Sequence, residues 1–163
     1  MSHAPLSDAR FEDGDDRPLR VIAQAPDDLP VMAALVQDAV FPITEMRRDA
    51  RRRQFALLLN RFRWEDHQAA TRENRSFERV QSMLVVQDVL SVQTMGIDRA
   101  QKDTVLSLLT MAFVPGEDGA GVLTLTLAGD GAIALHLEAL DLTLTDVTRP
   151  YPAPSGKAPD HNL

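Results

Sequence analysis

The chain has 163 residues, of which 44% are hydrophobic and 25% charged, with a net charge of −7 and no cysteine. That length suits one domain able to bury roughly two-thirds of its unfolded surface. The missing cysteines exclude disulfides, thiolate metal centres, iron–sulfur clusters and cysteine nucleophiles, and the negative total argues against a protein built to coat DNA.

Residues 1–17 are polar and acidic, with the run Phe11-Glu12-Asp13-Gly14-Asp15-Asp16. They are expected to form a disordered tail. No apolar run follows a basic start, so no signal peptide is read there. No stretch reaches the roughly 18 apolar residues of a transmembrane helix. The expectation is a cytoplasmic protein with no membrane association.

Residues 18–148 are expected to form a single α+β domain. Leu19-Arg20-Val21-Ile22-Ala23 reads as a short strand. Asp27 or Asp28 can cap a helix whose first turn tolerates Pro30. Leu29, Met32, Ala33, Val36 and Val40 follow at helical spacing, and Pro42 sets the expected end. Ile43-Thr44-Glu45-Met46 and Gln54-Phe55-Ala56-Leu57-Leu58-Leu59 read as two strands of a hairpin with arginines at its tip. Asn60 to Arg75 reads as a long polar surface loop.

Phe77 to Ile97 reads as two strands bent apart at Gln87-Asp88, with Gly96 closing the second. Asp98 to Asp103 is a charged connector. Val105 to Val114 fits either a helix or a doubly buried strand, and the turn signal that follows it favours the strand. Pro115 to Gly121 is then a hairpin loop. Val122, Thr124 and Thr126 alternate with Leu123, Leu125 and Leu127, and Ala128 to Ala132 turns the chain into a partner strand through Ile133, Leu135 and Leu137. The apolar phase slips at Ala139-Leu140, which predicts a bulge before Leu142 and Leu144. Residues 149–163 contain four prolines and are expected to form an extended, unpaired tail.

No catalytic signature is present: no Gly-x-Ser-x-Gly elbow, no His-Glu-x-x-His and no phosphate loop. His136 and Glu138 share one strand face but lack a third ligand, so neither a metal nor another cofactor is expected. The distinctive feature is arginine. Ten arginines and five acids lie between Arg47 and Arg79, a net +5 that leaves −12 for the rest of the chain. Arg51, Arg52, Arg53, Arg61 and Arg63 could grip an anion through forked guanidinium hydrogen bonds, with Trp64 beside them to stack. The plainer alternative is a hairpin that meets the protein's own acidic surface or a second subunit.

The segments Phe55 to Glu65, Gly96 to Leu109 and Gly129 to Ile133, with the tail through Pro159-Asp160-His161, resemble an alphaproteobacterial family of unknown function. The resemblance implies a bacterial cytoplasmic protein, encoded near histidinol dehydrogenase, with no activity or site residues to transfer.

The expected fold is one N-terminal amphipathic helix on a mainly antiparallel, barrel-like or pleckstrin-homology-like sheet of about six to eight strands. The expected function is a non-enzymatic binding or adaptor protein with an unknown protein partner or self-association. An RNA or anionic-ligand binder is the alternative, with nucleic acid not the favoured partner. A small-molecule enzyme with an unrecognised site is the third reading.

Overall fold

The computed structural model describes residues 17–154 and 158–159. The expected N-terminal tail, up to residue 16, lies outside them, as does most of the end of the proline-rich tail. Eleven strands form one antiparallel sheet: β1 (Arg20–Ala23), β2 (Val40–Pro42), β3 (Met46–Asp49), β4 (Gln54–Phe62), β5 (Glu78–Val86), β6 (Val89–Met95), β7 (Val105–Pro115), β8 (Gly121–Leu127), β9 (Ala132–Leu137), β10 (Leu142–Asp146) and β11 (Tyr151–Pro152). Two short α-helices, α1 (Leu29–Leu35) and α2 (His67–Arg72), and three 3-10 turns complete the described elements.

The strands lie in the order β1-β10-β5-β4-β2-β7-β8-β9-β6, with β3 on β4 and β11 on β5. The sheet curls around one core. Period-2 alternation aims Leu57, Leu59, Leu84, Val86, Leu142 and Leu144 inward from one half. The other half supplies Leu123, Leu125, Leu127, Ile133, Leu135 and Leu137, and α1 closes the opening with Leu29 and Met32. β1 and β6 end the strand path and do not pair with each other, so the curled sheet is barrel-like without being a closed barrel.

Much of the element reading is matched. β1, the β8–β9 hairpin and the bend at Asp88 (φ 57°) stand where they were predicted, and the arginine-tipped hairpin β3–β4 forms with its first strand shifted along the chain. Val105 to Pro115 is a strand, not a helix.

Several expectations are corrected. The helix stops at Leu35, because Asp38 takes a left-handed conformation (φ 62°) and its N–H donates to the Leu108 carbonyl at 2.7 Å. Val40, assigned to the helix by spacing, belongs instead to β2 between β4 and β7. Ile43–Glu45 is a 3-10 turn, with the strand beginning at Met46. Asn60 to Arg75 is not one loop: β4 runs on through Arg61 and Phe62, and a 3-10 turn leads into α2. The slip at Ala139-Leu140 is not a bulge but a crossing, since β9 pairs with β8 and β6 while β10 pairs with β5 and β1. The tail is not wholly unpaired, because prolines at alternate positions leave Tyr151 and Ala153 able to bond, and β11 joins β5. The short strands β2, β3 and β11 help raise the count from the six to eight expected to eleven.

Candidate functional site

The β3–β4 hairpin is built on four cross-strand pairs, from Met46↔Leu57 to Asp49↔Gln54. Its turn spans residues 50–53 and ends on Arg53, held left-handed at φ 54°. Arg47, Arg48, Arg51, Arg52 and Arg53 are all exposed here. Arg53 donates to Glu138 at 2.7 Å, Arg48 to the Leu90 carbonyl at 3.2 Å, and Arg52 lies 3.8 Å from Asp49. Among the described residues no carboxylate pairs with Arg47 or Arg51. These two line a cleft of about 500 Å³ together with Arg48, Asp49, Gln54 and Ala56. The backbone fixes the hairpin as well: the Val89 N–H donates to the Arg53 carbonyl at 2.9 Å, tying the tip to the start of β6.

The other predicted arginines do not join this group. Arg61 continues the inward face of Phe55, Leu57 and Leu59 and is completely buried. Its guanidinium grips Glu65 with two bonds of 2.9 and 2.8 Å, reaches Asp146 at 3.0 Å and donates from Nε to Ser82 at 2.9 Å. Ser82 in turn donates to Asp146 at 2.6 Å, and the other oxygen of Asp146 accepts the Leu19 N–H at 3.0 Å. Burial works against the Arg61 charge, but the hydrogen bond and charge of Glu65, with the charge of Asp146, outweigh it and hold the pKa above its ordinary value.

Arg63 is nearly as buried and sits between Glu78, Asp66 and Glu65. Asp66 also takes a two-bond fork from Arg75, 3.0 Å on each arm. That hydrogen bond, followed by one to Glu73, raises the Arg75 pKa. Arg61 and Arg63 therefore spend their forks on the protein's own carboxylates. Trp64 does the same with its ring nitrogen, donating to the Gln37 carbonyl at 3.0 Å while its ring packs 4.6 Å from Phe62. The predicted six-residue site thus divides into an exposed hairpin and an interior charge network. Sequence reasoning left Arg47 and Arg48 out of the site; they belong to the hairpin, where strand pairing sets them opposite Ala56 and Phe55.

His136 and Glu138 find ordinary partners, Gln93 at 3.4 Å and Arg53. Among the described residues no group of three His, Asp or Glu side chains could hold a metal ion. Among the described residues no helix is long and apolar enough to cross a membrane. No curated protein and no solved structure matches the chain. The sequence profile described as "Protein of unknown function (DUF2948)" matches residues 19–161, and the chain belongs to that family.

Proposed function

We propose that this is a non-enzymatic, cytoplasmic binding protein whose β3–β4 hairpin holds a compact anionic ligand carrying phosphate. The observation that carries the reading is the cleft at Arg47 and Arg51, two exposed guanidinium groups with no carboxylate partner among the described residues. A planar guanidinium donates two parallel hydrogen bonds to a phosphate, and it sheds its water more readily than an ammonium group. The clustered ionisable groups elsewhere, around Arg61 and Arg63, already neutralise one another. The rest of the chain carries a net −12 against the +5 of the arginine segment. That surplus repels a long polyanion beyond the reach of the hairpin and favours a small one.

Calorimetric titration with inorganic pyrophosphate at low salt tests the reading, with a single-stranded RNA of twelve nucleotides as the competing probe. The expected result is pyrophosphate binding that weakens with added salt and falls at least tenfold in the Arg47→Ser/Arg51→Ser double variant. Arg99→Ser, an exposed arginine on the 98–103 connector, should bind as the parent does. No heat of binding at low salt, or binding indifferent to the double substitution, rejects the proposal. RNA bound more tightly than pyrophosphate, through the same arginines, replaces the compact anion with nucleic acid.

A further inference from the structure

A second surface lies away from the arginines, where α1 runs beside β7. β7 has eleven residues and β8 pairs with one edge of it from Leu108 to Pro115. The opposite edge is covered by β2 only at Val105, Leu106 and Ser107. Leu108 ends that cover, donating to the Ala39 carbonyl at 2.8 Å and accepting from Asp38. From Leu109 to Val114 no described strand pairs with this edge. In an antiparallel ladder alternate residues point their N–H and C=O groups away from the neighbour. Those groups are left for an added strand.

The free edge faces a groove of about 510 Å³, inside the range of about 300–1,000 Å³ usual for ligand sites. One wall is five consecutive residues of β7, Leu109 to Phe113. The other is the helix side, where Pro30, Ala33, Ala34 and Gln37 keep the wall low. None of the lining residues is charged, although a quarter of the whole chain is. Natural edges are commonly guarded by lysine, proline or a bulge. Leu109-Thr110-Met111-Ala112-Phe113-Val114 carries no charge and no proline, and its one register shift against β8 lies at the start of the run, between Leu108 and Thr110.

We infer that this groove binds an extended segment of another polypeptide, which adds to the free edge of β7 as an extra antiparallel or parallel strand. The lining fixes the chemistry of that segment. It is uncharged over the about five or six residues that the edge can pair, because a charge there would lose its water with no partner. Its side chains are apolar at alternate positions, the period at which a strand meets one wall. At the mouth marked by Pro26, Asp27 and Asp28 are exposed, so a lysine or arginine just outside the apolar run complements that end. Backbone bonds supply affinity in this mode and the side-chain contacts supply selectivity. The inference is independent of the anion at the hairpin: the two surfaces share no lining residue.

The test is selection of twelve-residue peptides displayed on phage against the full chain, then measurement of the synthetic consensus by fluorescence anisotropy and amide hydrogen exchange. The expected consensus is an uncharged alternating apolar run with a basic flank. Its binding should slow exchange within residues 109–114 at least tenfold and weaken at least tenfold in Ala34→Glu. Val31→Glu, on an exposed position of the same helix outside the groove, should change affinity less than twofold. Arg47→Ser/Arg51→Ser should leave peptide binding intact. A charged or absent consensus, protection elsewhere in the sheet, or indifference to Ala34→Glu overturns the inference. So does a chain that sediments as a dimer and becomes monomeric in Ala34→Glu, for a second copy would then fill the groove.

Discussion

Arg61 shows what a single side chain can conceal in a sequence. Its position, two residues on from Leu59, is the next inward site of β4, and a charge there reads as the end of the strand. The structure keeps the strand and surrounds the charge with Glu65, Asp146 and Ser82. The partners lie 4, 85 and 21 residues away, so only the nearest was visible from spacing. Removing one member of a buried ion pair leaves the other uncompensated, typically at a cost of about 3–5 kcal/mol. Arg61→Met should therefore lower urea stability by about that amount. Arg61→Met/Asp146→Leu should recover at least half of the loss, because the stranded carboxylate goes with its partner. A double variant no better than the single one would show that Asp146 tolerates burial alone, with Ser82 and the Leu19 N–H as sufficient donors.

Among the elements, the strands of the second half were legible because their alternation is clean and their turns are glycine-rich. Val122 to Leu127 and Ile133 to Leu137 needed nothing from elsewhere in the chain. Helix α1 was overextended for a physical reason. Val36 and Val40 do lie on the helical stripe, but Asp38 turns left-handed and Val40 gains cross-strand partners, Asn60 and Ser107, that no local pattern reveals. Tertiary pairing overrode a weak helical preference. β7 and β8 are joined closely at Gly121, where a Cβ atom would meet the Val114 carbonyl and lie 2.6 Å from the Phe113 ring. Its backbone is not left-handed, so crowding alone decides the outcome. Gly121→Ala should destabilise by about 1–3 kcal/mol, the usual cost of overpacking. Thermal unfolding should show it, whereas Gly119→Ala tests strain rather than crowding, since Gly119 has open space but φ 85°.

For the whole molecule, the pattern of apolar residues along the chain set the class correctly at its coarsest: mostly sheet with little helix. Whether such a sheet closes depends on whether β1 and β6 meet, and no property of either strand bears on that. The expected arginine site divided for the same kind of reason. Seven arginines between Arg47 and Arg63 look equivalent in sequence, yet the strand phase turns Arg61 into the interior while the hairpin tip holds Arg51 in solvent. The two proposed surfaces occupy different walls of one curled sheet, so a ligand at either leaves the other accessible. That arrangement suits an adaptor.

The pairing of β1 with β10 has a mechanical consequence. The strands are antiparallel, with Arg20 opposite Thr145 and Ala23 opposite Leu142. The chain therefore enters β1 and leaves β10 at the same end of the ladder. Tension between residues 17 and 154 would peel the two pairs of β11 from β5, then open β1 from β10 one rung at a time. Rungs loaded in turn yield at lower force than rungs sheared together. Optical-trap extension should show low-force, stepwise opening that begins at these edges, with the β7–β8–β9 hairpins intact until last. A single high-force rupture would mean that the Asp146 bonds to Arg61 and the Leu19 N–H clamp the ladder at its mouth.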